Sequence, residues 1–180
     1  TSDLAANPEL DPSTSVRFVN EIGAKSRELV ATMDEIVWAV NPRNDSLASL
    51  AAYCCQYAQH LLTSAGIRCR LSVDDNLPAA PLKSEQRHQL FLAFKEALNN
   101  LVRHSGATRA HLEIFARPGL LRITLEDDGR GFAPGTPHEG AYGLRNMRER
   151  LRRIGGNCDV QSKPDGGTCV IFTVALPAEK

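Results

Sequence analysis

The chain has no excess of charge of either sign: across 180 residues, 21 Lys and Arg stand against 21 Asp and Glu. That balance excludes a nucleic-acid binder working by bulk electrostatics, although residues 145–153 are locally basic. No apolar run approaches the ~20 residues of a membrane span and no signal peptide opens the chain, so the stretch is expected to be soluble and cytoplasmic. An inner-membrane anchor in the parent protein stays open. C-x-x-C spacing is lacking too. Cys54, Cys55, Cys69, Cys158 and Cys169 are odd in number and lie among apolar residues, which predicts buried free thiols in a reducing compartment and no zinc site. There is no internal repeat and no low-complexity tract. What remains, 42% hydrophobic and 23% charged, is the composition of a soluble globular chain long enough for one domain plus an appendage.

Residues 1–13 carry two prolines and no periodic pattern. From 13 to 40, Val19, Ile22, Ser26, Leu29, Met33, Ile36 and Val40 alternate spacings of three and four, a heptad seam that Val30 and Val37 widen. A lone helix cannot bury such a stripe on itself, so self-association through a helical bundle is predicted, with folding back on its own domain as the alternative. Asn41-Pro42 ends the helix and sets a boundary between a 1–44 and a 45–180 domain.

Asp45 or Ser46 is expected to cap a second helix to about residue 65, stopped by Gly66, with Leu47, Leu50, Ala51, Cys54, Tyr57, Ala58 and Leu61 on its apolar face. A strand at 67–73 and a proline-rich loop at 76–81 precede a helix over 84–103, whose Leu90, Phe94, Ala97, Leu98 and Leu101 face a core. Then the period drops to two: Ala110, Leu112 and Ile114 in one strand, a Pro118-Gly119 turn, and Leu121, Ile123 and Leu125 in the next. A glycine-rich loop over 127–143, a helix over 144–154 and two strands, 158–162 and 168–176, complete the chain. The class is α+β: an α/β sandwich with a mixed, mostly antiparallel sheet covered by helices on one face, preceded by a long bundle helix.

Four features carry chemistry. Glu96 and Asn100 lie one turn apart on a helix face, as oxygen ligands or a water-polarising pair would. Asp128 ends a strand, where a carboxylate can accept the exocyclic amine of adenine, and Gly129 and Gly131 let the backbone turn and approach a ligand. Gly140-Ala141-Tyr142-Gly143-Leu144 opens a helix whose free N–H groups suit phosphates. Gly166-Gly167-Thr168 leads into the last strand, where Thr168 can add a hydroxyl near the base. Asn100 offers an oxygen to magnesium, which takes few protein ligands.

In this order and on these elements, the motifs resemble the ATP-binding region of sensor histidine kinases of the GHKL (Bergerat-fold) superfamily. Residues 95–107, Lys-Glu-Ala-Leu-Asn-Asn-Leu-Val-Arg-His-Ser-Gly-Ala, resemble its N box; Asp128-Gly129-Arg130-Gly131-Phe132 the G1 box; Gly140 to Leu144 the G2 box; and Gly167-Thr168 the late adenine-side motif. The short lid and the Gly-Leu-x-x-Met-Arg-Glu-Arg that follows it resemble the subfamily acting on response regulators of the nitrate/nitrite and desaturase-control type. The resemblance implies ATP and magnesium as ligands. Asn100 would hold the metal, Glu96 would polarise the attacking group, and Asp128 would hold the adenine between Gly129 and Gly131. Gly140 and Gly143 would border the phosphates beneath a lid of about 132–142, beside His104, with Arg103 and Arg145 within reach.

One departure bears on the reaction. The resemblance implies an acceptor histidine followed by an acidic residue on the first helix of a dimeric bundle. Of His60, His88, His104, His111 and His138, only His138 precedes an acid, and it falls in the lid. The helix over 13–40 matches the second bundle helix, so the acceptor is expected upstream, with a homodimer and a response regulator as partners and autophosphorylation by this stretch alone not expected. The alternatives are an anti-sigma-type protein-serine kinase, which the long helix disfavours, and a nucleotide-binding dimerisation module without kinase activity.

Overall fold

The computed structural model describes residues 12–133 and 141–177. The chain divides into two compact units, the first ending at Val40 and the second beginning at Asn41. Among the described residues the first contains a single helix, α1 (Pro12–Val40). Its seam faces solvent: Val16, Val19, Leu29, Val30, Met33, Ile36, Val37 and Val40 are 46–65% exposed. The break falls earlier than the predicted 44/45 boundary, because Pro42–Asn44 forms a 3₁₀ turn that is hydrogen-bonded into the second unit.

In that unit α2 (Leu47–Ser64) starts at Ser46, whose hydroxyl accepts the Ser49 N–H at 3.1 Å, and stops where Gly66 turns left-handed at φ +73°. Its buried face runs Leu47, Leu50, Ala51, Cys54, Ala58, Leu62. Leu62 takes the place predicted for Leu61, and Tyr57 sits at the rim, edge-on to Phe91 at 5.3 Å. Strand β1 (Arg68–Val73) leads to α3 (Ser84–Asn100), which buries Leu90, Phe91, Phe94 and Leu98. The helix does not run on as α-helix to residue 103: Leu101–Ser105 widens into a π-turn that Gly106 ends at φ +64°.

Strands β2 (Arg109–Arg117) and β3 (Leu120–Asp127) form a hairpin, α4 (Ala141–Arg153) follows, and β4 (Asn157–Ser162) and β5 (Thr168–Ala175) form a second hairpin. The sheet order is β1-β2-β3-β5-β4, parallel between β1 and β2 and antiparallel elsewhere. Alternate residues, among them Leu112, Ile114, Ile123, Leu125, Phe172 and Val174, are buried. The five cysteines are free, but only Cys54 and Cys158 are buried; Cys55, Cys69 and Cys169 are half-exposed, contrary to the sequence expectation. Among the described residues no helix is long and apolar enough to cross a membrane.

Candidate functional site

Alternation along the sheet delivers the site. The inward positions of β3 end in Leu125 and Asp127, and those of β5 begin with Thr168 and Val170. Ala97, Asn100 and Leu101 of α3, Leu144 and Met147 of α4, the π-turn residues His104 and Ser105, and the loop residues Arg130, Gly131 and Phe132 complete the lining of a cavity of about 510 Å³. That lies within the ~300–1,000 Å³ typical of small-molecule sites. Its walls are mostly apolar, with Asn100, His104, Asp127 and Thr168 as polar points.

The loop after β3 is held by close backbone approach. Gly131 has φ +56°, and a Cβ there would lie 2.1 Å from the Lys163 carbonyl oxygen. The β4–β5 turn thereby meshes with the loop: Asp165 N–H donates to Arg130 O (2.7 Å), Gly167 N–H to Gly129 O (2.9 Å), and Phe132 N–H to Ser162 Oγ (2.9 Å). On the other side Arg130 holds the π-turn, donating from its backbone N–H to Ser105 O and from Nε to His104 O, both at 2.8 Å.

Asp127, not Asp128, is the carboxylate at the cavity. Its Oδ1 accepts the Gly129 N–H at 2.8 Å. Burial pushes its carboxyl up from the ordinary value and the neighbouring Asp128 charge pushes the same way, while the Gly129 and Thr168 N–H groups pull it down. Asp128 turns toward the start of β2. Its Oδ1 accepts the N–H groups of Thr108 and Arg109, both at 2.8 Å; its Oδ2 accepts Thr108 Oγ1 (3.0 Å) and Arg109 Nε (2.9 Å). The Arg109 guanidinium, then the backbone donors, hold it well below the usual carboxylate range. The expectation for Asp128 is therefore corrected, for a reason readable in the chain. Ile123 and Leu125 face inward, so the next inward position is 127, and Asp127-x-Gly129-x-Gly131 is the spacing with both glycines in step.

Glu96 and Asn100 come together with Gly143. A Cβ on Gly143 would lie 2.2 Å from Glu96 Oε1 and 2.9 Å from Asn100 Nδ2, so a larger residue there would displace the ends of this pair or the first turn of α4. Asn100 Nδ2 is buried without a hydrogen-bond partner among the described residues. The pair thus lies against the first turn of α4, and the N-terminal end of a helix favours an anion. Of the other expected residues, His104, Gly131, Leu144 and Thr168 line the cavity. Gly129 lies behind it, where a Cβ would meet Ser105 O at 2.5 Å. Arg103 is exposed and does not line it, and Arg145 stacks over the Tyr142 ring at 5.5 Å. Gly140, His138 and most of the expected lid lie outside the described residues. The sequence reading missed Asp127, Ser105 and Arg130; alternation signals the first, whereas the other two depend on the π-turn, which no spacing announces.

Among the described residues no group of three or more His, Cys, Asp or Glu side chains could hold a metal ion. The oxygen donors of Glu96 and Asn100 suit a hard cation that takes its remaining ligands from water and phosphate, as magnesium does.

The comparisons with known proteins agree with this geometry. The chain is 37% identical over 91 residues to the sensor protein VraS of Staphylococcus epidermidis and 42% identical over 90 residues to that of Staphylococcus saprophyticus. Those stretches are about half of this chain and 26% of each relative. In fold it resembles the histidine kinase domain of the Erythrobacter litoralis EL346 blue-light activated histidine kinase, with TM-score 0.60 and 20% identity over 89% of this chain and 84% of that one. It also resembles the Acinetobacter baumannii histidine kinase AdeS, with TM-score 0.59 and 14% identity over 93% and 86%. Residues 85–179, more than half of the sequence and all the described lining of the cavity, match one family, and the chain belongs to it: the histidine kinase-, DNA gyrase B- and HSP90-like ATPases.

Proposed function

We propose that this chain is the catalytic ATP-binding part of a two-component sensor histidine kinase, acting on the cytoplasmic side and transferring the γ-phosphoryl group of ATP to a histidine upstream in the parent protein. The observation that carries the reading is one cavity whose lining combines an apolar interior, a half-buried Asp127 and Asn100, with Glu96 beside Asn100 against the first turn of α4. Asp127 accepts the exocyclic amine of adenine, with the Thr168 hydroxyl beside it. Ala97, Leu125, Met147 and Val170 exclude water from the base. The α4 N-terminus at Gly143 and Leu144 faces the phosphates, with His104 at the wall.

Asn100 would hold magnesium, with Glu96 close by. Magnesium, when bound, neutralises charge on the phosphate oxygens. Glu96 accepts the proton, directly or through water, from the attacking nitrogen. The bond from the γ-phosphorus to the bridging oxygen breaks as the nitrogen–phosphorus bond forms, and ADP leaves. Catalysis of this kind is chiefly positioning and charge neutralisation. In the parent protein α1 supplies the second helix of a dimeric bundle, as its exposed apolar stripe supports, and a response regulator takes the phosphoryl group.

The test is in two stages. Calorimetric titration with ATP and magnesium should give saturable binding; no binding sinks the reading at once. The acceptor helix is then supplied in cis, and labelled ATP should yield an acid-labile phosphohistidine. An acid-stable phosphoserine on a partner would point instead to a protein-serine kinase.

A further inference from the structure

Behind the wall of the cavity, one hydroxyl decides which way another one points. Ser162, the last residue of β4, pairs in register with Thr168, the first of β5, and does not itself line the cavity. Three groups converge on Ser162 Oγ. The Phe132 N–H lies at 2.9 Å, the Gly167 carbonyl oxygen at 3.0 Å and Thr168 Oγ1 at 3.0 Å. Thr168 does line the cavity, and its backbone N–H donates to the Asp127 carboxylate.

The number of protons fixes the direction of each bond. A serine hydroxyl has one proton to give and two lone pairs. The Phe132 N–H can only donate, so it takes one lone pair. Gly167 is buried and its carbonyl can only accept, so it takes the proton. The second lone pair is left for Thr168, whose hydroxyl must then donate its single proton to Ser162. The reverse direction would withdraw the Ser162 proton from Gly167 O, and a buried carbonyl is costly to leave unpaired. With its proton turned away from the cavity, Thr168 Oγ1 has only lone pairs to offer a ligand. The ionised Asp127 carboxylate beside it also only accepts.

We infer that Ser162 is a positioning residue that sets base specificity. It holds the Thr168 hydroxyl as a hydrogen-bond acceptor next to Asp127, so this end of the cavity takes a base edge bearing an amino group and rejects one bearing a carbonyl oxygen. An amino group has two N–H bonds, enough for both acceptors, whereas a carbonyl oxygen would face two acceptors and no donor. Such a mismatch of buried polar groups discriminates far more strongly than a difference in apolar contact. The inference rests on the adenine reading of the cavity given above.

Ser162→Ala releases the Thr168 proton to turn toward the ligand. ATP is compared with ITP, which has a carbonyl oxygen in place of the amine, on the whole 180-residue chain with magnesium. ATP is titrated by calorimetry and ITP is measured by displacement of ATP. The preference for ATP over ITP should fall about tenfold in Ser162→Ala. In a Thr168→Val background the same substitution should change the preference less than twofold, because no hydroxyl is left to turn. Equal weakening of both nucleotides by Ser162→Ala would make Ser162 a structural residue only and overturn the proposal. A fall of the same size in the Thr168→Val background overturns it as well, and so does ITP that displaces ATP from neither the parent nor Ser162→Ala. A parent that binds neither nucleotide defeats the adenine reading, and the proposal falls with it. Should Ser162→Ala fail to fold, Ser162→Cys takes its place, since a thiol fills the space but hydrogen-bonds weakly.

Discussion

Asp127 has Oδ1 engaged by the Gly129 N–H in a half-buried setting, and its carboxylate borders the cavity. Asp128 has four donors and none of them is a ligand. Substitution should separate the two. A hydrogen bond to a charged group contributes about 1.5–3 kcal/mol, so Asp127→Asn should weaken ATP about tenfold to a hundredfold in a calorimetric titration. Asp128→Ala should leave affinity within about threefold, since no partner of Asp128 contacts the cavity, yet lower the melting temperature by freeing the start of β2. The opposite ranking would return the adenine to Asp128.

The acid limb of ATP binding follows from the same carboxyl. Burial raises it, and the ionised form accepts the amine, so on acidification binding should fail at a higher pH than for an ordinary aspartate with pKa ~3.9. The dissociation constant should be flat near neutrality and rise as pH falls through the raised value. Asp127→Asn, which has no proton to take up there, should flatten that rise. An acid limb of equal size in Asp127→Asn would assign it to another group.

At the scale of elements, Gly143 decides how α4 begins. Gly143→Ala would put a methyl 2.2 Å from Glu96 Oε1 and 2.9 Å from Asn100 Nδ2, so either α4 shifts or the pair does. ATP affinity should fall by about tenfold or more, with a far-UV spectrum like the parent's; parent-like binding would show that the pair has no part in the site. Helix α1 presents the other element-scale test. With Leu29 65% and Met33 64% exposed, the chain should self-associate in sedimentation. A single Leu29→Asp or Met33→Asp should weaken that by about tenfold or more, because a carboxylate cannot be buried in an apolar seam unpaired. Self-association untouched by either change would move the interface elsewhere.

These elements also mark the limit of what is legible in the sequence. Periods of 3.6 and 2 place α2, α3, α4 and the strands β1 to β5, because one-sided burial in a packed sandwich is what those periods record. Glu96, Asn100 and the glycine loop are legible for the same reason: each sits at a fixed phase of its element. The π-turn at Leu101–Ser105 is not: no spacing announces it, and the Arg130 contacts that hold its His104 O and Ser105 O are made across the fold. The close approach of Gly143 to Glu96 and Asn100 is likewise a contact between elements distant in sequence. Asp127 was legible in principle, by carrying the strand phase of Leu125 one step further.

For the whole molecule, the division at Val40 and Asn41 makes a claim about autonomy. The sheet, the helices α2, α3 and α4, the described cavity lining, and the fully buried Arg87 with its partners Asn41 O and the Asp45 carboxylate belong to the second unit. The first contributes a helix whose Val16, Val19, Leu29, Val30, Met33, Ile36, Val37 and Val40 are 46–65% exposed, although Ala39 is buried, so in a single chain that stripe buries little and should add little to the stability of the rest. A protein of residues 41–180 should therefore unfold cooperatively within a few °C of the 180-residue chain, because the second unit has its own sheet, helices and core. It should bind ATP with the same affinity to within about threefold, because sites without shared partners behave additively. What it should lose is self-association, since the seam has gone. Cutting at Leu47 instead removes Asn41 and Asp45 from Arg87 and leaves a buried cation without its carboxylate, so residues 47–180 should melt well below 41–180. Equal melting of the two truncations would show that the nucleotide unit begins at α2, and the junction would then be a tether with no structural part in it.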